Sequence, residues 1–395
     1  MPESSLDIAH LRADTTGCAG RIFFNNAGAS LPPRPVVERV IEHLRLEERI
    51  GGYEAADAME AELAGVYGTV ATLLNAHPEE IALTESATRA WDMAFYALPL
   101  RAGDRILTAQ NEYSSNYIAF LQVTRRTGAV VEVIPGDGDG AIDLGALEAS
   151  LERDHRARLI ALTHVATNNG LVQPAADVGR LARRFGVPFL LDACQSAGQL
   201  PLDVEALGCD LLSATSRKYL RGPRGTGFLY VRRSLLPQLE PPLLDMHAAE
   251  WTTRESYRMR DDAKRFEAWE SSAACRLGMG RAVEYALDLG LERIAARVQQ
   301  VAAELRAQLH ETPGITVQDR GRVQCGIVTF THAQHSPFSI LEKLAAQQIL
   351  VRISPRNATL LDMEQRGLDA VVRASVHYYN TSEEIGRFCA AMRAL

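Results

Sequence analysis

Apolar and polar positions change their period along the chain. Through its middle, short apolar runs alternate with stretches of helical period. The runs are DRILTA (104–109), AVVEVIP (129–135), RLIALTHV (158–165), PFLLDA (188–193), LLSATS (211–216) and GFLYVR (227–232); the helical stretches are 114–127, 143–152 and 174–186. Runs with no polar face suit strands buried on both sides, and strand–helix alternation predicts a mostly parallel sheet covered by helices. The helix at 174–186 opens on Pro174 and closes on Gly186, each at its favoured end. From 274 a long helical pattern leads into CGIVTF, a further helix, ILVRIS, VVRASVHYY and a terminal helix, an order that suggests a smaller α+β unit. Residues 241–270 have mixed polarity and no period, as in a surface or active-site loop. The expected organisation is an N-terminal segment, 1–45, packing with the small domain or crossing the interface, a large domain, 46–270, and a small C-terminal domain, 271–395.

Composition narrows the class. With 395 residues, 47% hydrophobic and 23% charged, the chain is globular rather than disordered. No apolar run approaches the ~18 residues of a membrane span. The polar start, MPESSLDIAHLRADTTG, lacks the marks of a secretory signal. A net charge of −7 disfavours nucleic-acid binding. The six cysteines show no CxxC spacing, so free thiols in a reducing cytoplasm are expected, with no metal site.

Of 42 basic residues only Lys218, Lys264 and Lys343 are lysines. Lysine can form an imine where arginine cannot. Lys264 lies in a charged run and Lys343 on a polar helix face, whereas Lys218 follows an apolar strand and precedes a glycine-rich turn. Ligands bind just beyond strand carboxyl ends in open α/β sheets. Twenty-six residues earlier, Asp192 ends another apolar run, where a buried carboxylate needs a partner. Pyridoxal 5'-phosphate (PLP) would use both, a lysine for the imine and a carboxylate to keep its pyridine nitrogen protonated.

With these residues the chain resembles the class V aminotransferase and cysteine desulfurase group of fold-type I PLP enzymes, from about residue 22 to the end. The likeness rests on D-x-x-Q-x-x-G, here Asp192 to Gly198, and on Thr215-Ser216-Arg217-Lys218 followed by Gly222-Pro223-Arg224-Gly225-Thr226-Gly227. It implies a large domain with a mostly parallel seven-stranded sheet, and a homodimer with shared sites acting on an amino acid. It also implies that Lys218 takes the imine bond, Asp192 pairs with the pyridinium and Gln195 bonds the phenolic oxygen. The phosphate cup would draw on Ser86, Ala87 and Thr88, completed by Thr215 and Arg217. A simple N-cap by Ser86 or Thr88 is an equally consistent reading of that turn. Tyr113 stands where the group has a stacking histidine, and Thr167 and Asn168 would border the phenolic oxygen. In VVRASVHYYNT, Arg373 would take the substrate α-carboxylate, with Asn26, Ala27 and Gly28 lying over it. His247 and Trp251 either reach the site or lie on the surface. Ser271 and Ser272 stand where the group sends a polar side chain to the partner's phosphate, although Ala273 replaces an expected threonine.

One departure bears on the reaction. Desulfurases of the group carry a mobile-loop cysteine shortly after V-R-x-G, and Asn357 falls at that place. An amide is no sulfur nucleophile, so persulfide-forming desulfuration is disfavoured. Carbon–sulfur β-lyase, aminotransferase and epimerase chemistry remain, with a non-catalytic PLP-binding module as a further alternative. The segment Gly51-Gly52-Tyr53-Glu54-Ala55-Ala56 resembles a stretch of hercynylcysteine sulfoxide lyases, which favours the lyase; isopenicillin N epimerase-like proteins share features of it.

Overall fold

The computed structural model describes residues 6–395; the first five residues of the polar start lie outside the described residues. Seven strands build the central sheet: β1 (Ile81–Thr84), β2 (Arg105–Ala109), β3 (Val130–Ile134), β4 (Ala157–Thr163), β5 (Phe189–Asp192), β6 (Leu211–Thr215) and β7 (Gly227–Val231). Their order is β1-β7-β6-β5-β4-β2-β3, and only β7 runs against its neighbours. All six apolar runs are strands. The seventh, β1, is four buried residues that run into the polar turn after it.

Alternate residues of each strand enter different cores, as the two-residue repeat requires. Ile106, Leu159, Leu190 and Leu211 pack with α1 (Ala87–Tyr96) and α2 (Ser114–Thr127). Leu107, Ile160, Leu191 and Leu212 pack with α3 (Leu144–Arg153) and α4 (Ala175–Phe185). The sheet is thus sandwiched, and only its strand ends are open to chemistry.

The segment read as an irregular loop, 241–270, contains an antiparallel hairpin, β8 (Ala249–Thr253) with β9 (Ser256–Met259). Its residues are largely exposed, so no apolar face announces it in the sequence. The helical pattern from 274 is two helices, α5 (Ala273–Leu289) and α6 (Leu291–His310), separated by Gly290 at φ +84°. Glycine enters that left-handed region without steric cost. The break lets Met279 and Val283 of α5 pack in the core of the large sheet and Val301 and Leu305 of α6 in a different one.

That other core covers an antiparallel sheet of β10 (Ile315–Val317), β11 (Ile327–His332), β12 (Arg352–Pro355) and β13 (Ala370–Ser375), ordered β10-β11-β13-β12. Helices α7 (Pro337–Ala346) and α9 (Ser382–Arg393) pack on it, while the short α8 (Leu360–Gln365) lies between β12 and β13 in the chain. The N-terminal segment touches both cores. Leu11 belongs to the large-sheet core that holds α3 and α4, Ile22 and Phe24 to the core of the smaller sheet, and Ile22–Phe23 pairs in parallel with Ile349–Leu350. Among the described residues, no helix is long and apolar enough to cross a membrane.

Candidate active site

Asp192, Thr163 and Thr215 are the last residues of three adjacent strands, β5, β4 and β6, and Lys218 follows three residues beyond β6. Gly198 locks the two key loops together. Its φ is +91°, and a Cβ there would stand 2.4 Å from the carbonyl carbon of Tyr219, so only glycine lets the Asp192 loop lie against the Lys218 loop. Lys218 and Asp192 are both buried. Asp192 Oδ1 accepts the Cys194 N–H at 2.9 Å, and Oδ2 accepts Asn116 Nδ2 at 3.0 Å. Burial pushes the Asp192 carboxyl up, while these two donors and the Lys218 charge pull it back. The Cys194 thiol is pushed up by burial, with the nearby Lys218 charge opposing the shift. Gln195 Nε2 donates to the Ala27 carbonyl at 3.1 Å, leaving its buried Oε1 without a partner.

The Thr84–Thr88 turn follows β1. Ser86 caps α1, its Oγ accepting the Arg89 N–H at 3.1 Å. The N–H groups of Ala87 and Thr88, in the first turn of α1, have no carbonyl of their own helix to reach. Gly227 presses against this turn. A Cβ on it would come 2.6 Å from the Ala214 carbonyl oxygen and 2.8 Å from the Ser86 carbonyl carbon. Thr215, expected at the same cup, donates through Oγ1 to the Thr226 carbonyl at 3.2 Å. The Arg217 guanidinium donates instead to the carbonyl of Gly28, on the side of the Asn25–Gly28 turn.

Arg373 lies on β13 directly opposite Arg352 on β12. It is 9% exposed and its Nε has no partner. Burial pulls the guanidinium down to about 10, with Tyr219 and Tyr113 opposing the shift and Arg352 and Arg217 adding to it. Like charges facing across a strand pair repel, so an anion would be welcome there. Asn26 Nδ2 donates to the Ser375 carbonyl at 2.8 Å, its Oδ1 accepts the Tyr379 hydroxyl, and the Ala27 N–H donates to Ser375 Oγ at 2.9 Å. Asn26, Ala27 and Gly28 are thereby pinned to the end of β13 and, through Gln195, to the Asp192 loop. Half-buried Tyr113 stands at the start of α2 within electrostatic reach of Arg373.

Thr167 Oγ1 is 3.4 Å from Ser354 Oγ, and Asn168 Nδ2 donates to Asp362 Oδ2 of α8 at 2.6 Å. Both residues join the two sheets; the buried Asn168 Oδ1 keeps no partner. His247 faces Glu267 at 3.2 Å, and Trp251 is exposed on the hairpin, so neither joins the cluster around Lys218. Ser272 caps α5; with Ser271 and Ala273 it lines a surface groove shared with Gly52 and Tyr53. Asn357 is exposed on a single 3-10 turn, Arg356–Ala358, after β12.

Sequence reasoning missed Cys194 and Asn116. Cys194 was visible inside the D-x-x-Q motif. Asn116, in the first turn of α2, stands four residues after Glu112, and that spacing is the available signal.

The aminotransferase class-V family model matches residues 22–388. The chain belongs to that family. Its members depend on pyridoxal phosphate. A probable cysteine desulfurase of Xylella fastidiosa is 32% identical over 385 residues, covering 94% of this chain and 90% of the relative. The apo structure of the cysteine desulfurase from Thermococcus onnurineus superposes with a TM-score of 0.92 at 27% identity, covering 100% of this chain and 99% of that one. A cystine C–S lyase, solved with its product cysteine persulfide, gives 0.85 at 25% identity, covering 96% and 99%. The residues present fit the family's cofactor: a buried amine beside a buried carboxylate, an unpartnered Gln195 oxygen, and a helix start pressed by a glycine that leaves no room for a side chain.

Proposed function

We propose that this chain is a PLP-dependent carbon–sulfur β-lyase that cleaves a cysteine S-conjugate or its sulfoxide to pyruvate, ammonia and the sulfur-bearing fragment. The observation that carries this reading is Asn357, an exposed amide on the turn after β12, where the resemblance places the desulfurase cysteine. The cysteines on β11's approach and on α9 offer no substitute, because burial pushes the Cys325 thiol up to about 12 and Cys389 up to about 11.

When bound, the cofactor supplies an electron sink for the pair left as the substrate Cα–H bond breaks. Lys218 would hold its aldehyde and is the amine placed to take the substrate Cα proton. Asp192 holds the proton on the pyridine nitrogen. Gln195, with Thr167 and Asn168 bordering it, would hold the phenolic oxygen, and Tyr113 would stack on the ring. Ser86, Ala87 and Thr88 receive the phosphate at the α1 terminus, with Thr215 at its edge. Arg373 takes the α-carboxylate in a two-pronged contact beneath Asn26, Ala27 and Gly28, and Arg217 closes that side.

The protein works as a homodimer. Val37, Ile41 and Leu44 form an exposed apolar stripe on the Arg34–Ile50 helix, close in sequence to the Tyr53 groove, and this supports a subunit contact beside Ser271 and Ser272. The six unpaired cysteines suit a cytoplasmic location.

The test uses purified protein, an S-alkyl cysteine sulfoxide and no 2-oxo acid. Pyruvate and ammonia should appear in equal amounts over many turnovers, and Lys218→Ala should abolish them. Turnover that requires a 2-oxo acid, or a racemised substrate without pyruvate, overturns the proposal. So does alanine release from cysteine with a persulfide trapped on Cys194.

A further inference from the structure

Two buried polar residues beside Asp192 have no part in the roles above. Asn116 on α2 is 3% exposed, and its Nδ2 lies 2.9 Å from Glu112 Oε1 and 3.0 Å from Asp192 Oδ2. Asp192 accepts hydrogen bonds through both oxygens, so the NH₂ end of the amide faces it, and the orientation of Asn116 is fixed by that neighbour. Glu112 is itself held from several directions. It accepts from Thr108 Oγ1 of β2 at 2.9 Å, from the Tyr113 N–H at 2.8 Å, from the Thr163 N–H of β4 at 3.2 Å and from the Thr163 hydroxyl. Two strand ends and a helix start therefore converge on one carboxyl group, which does not touch Lys218 or Arg373 by any hydrogen bond. Asn116 carries that fixed point across to Asp192. With the Cys194 N–H on the other oxygen, the Asp192 carboxylate is gripped at both ends.

We propose that Asn116, anchored by Glu112, is a positioning residue that aims the Asp192 carboxylate at the pyridine nitrogen of the cofactor. The inference rests on the PLP reading above and extends it to residues that never meet the cofactor. A hydrogen bond to a charged acceptor that is lost without replacement corresponds to roughly tenfold or more in an equilibrium constant. If Asn116 acts only through Asp192, its removal has no further effect once Asp192 is no longer a carboxylate, and a double-mutant cycle exposes that coupling.

The experiment titrates apoprotein with PLP and follows the imine band near ~420 nm in wild type, Asn116→Ala, Asp192→Asn and the double variant. Asn116→Ala should weaken PLP binding about tenfold and shift the band, while the double variant should bind as Asp192→Asn does. Asn116→Asp keeps the volume while replacing the donor by an acceptor, and serves if the alanine variant does not fold; it should weaken binding at least as much. Wild-type affinity in either Asn116 variant, or additive losses in the double variant, overturns the inference while leaving the cofactor assignment standing. A wild-type protein that forms no imine band removes both.

Discussion

Glu112 offers a quantitative check on the geometry of the site. It is buried among five donors, and desolvation, aided by the nearby Asp192 charge, raises its carboxyl from an ordinary 4.5 to about 7 against the pull of those donors. At about 1.4 kcal/mol per pH unit this corresponds to about 3.5 kcal/mol. The folded state holds a proton that the unfolded chain releases above 4.5, so the native state binds more protons between 4.5 and 7 and stability falls as pH rises through that window. Glu112→Gln removes the titration and keeps the shape. His164, pushed down to about 4 by burial, acts in the opposite sense but is common to both proteins and cancels in the comparison. In urea denaturation of the cofactor-free proteins, the variant should gain about 2.5 kcal/mol relative to wild type between pH 5 and pH 8, most of the total. Any pH-independent cost of the amide shifts both ends equally. A difference that stays flat over this range would mean that Glu112 ionises normally in the folded protein, and the closed network drawn around it would be wrong.

Gly227→Ala should displace the Ser86–Ala87 backbone, because its Cβ would stand within 3.0 Å of three backbone atoms; overpacking of this kind typically costs about 1–3 kcal/mol. The expected readout is weaker PLP retention on gel filtration, and unchanged retention would show that the turn is not a phosphate cup. Arg373→Gln should raise the KM for an amino-acid substrate by about tenfold or more while leaving the imine band of the resting protein in place. An unchanged KM would remove Arg373 from the carboxylate site.

The fold was legible wherever burial on both faces wrote itself as a continuous apolar run. LLSATS and PFLLDA could be read as strands, and their polar ends led directly to Lys218 and Asp192. The exposed β8–β9 hairpin carries no such run. Gly290 inside a helical pattern reads as a tolerated glycine until its positive φ is seen. Chemistry that depends on a residue type survived the reading, because few amines or carboxylates suit those positions. Chemistry that depends on contact did not. Asn116 reads as an ordinary polar residue near a helix start, and nothing in its surroundings tells that its amide reaches Asp192. Arg217 shows the same limit, since its direction toward Gly28 is set by a turn about 190 residues away in the chain.

Lys218, just beyond β6, and Arg373, on β13, are carried by different sheets, joined near the site by the Thr167–Ser354 and Asn168–Asp362 contacts. A molecule seized at both ends therefore acts as a strut between two slabs of the protein. Occupancy of the site should then be felt as stiffness far from it, as slower hydrogen exchange along β12 and β13 whenever a carboxylate-bearing ligand is seated and not when its decarboxylated analogue is.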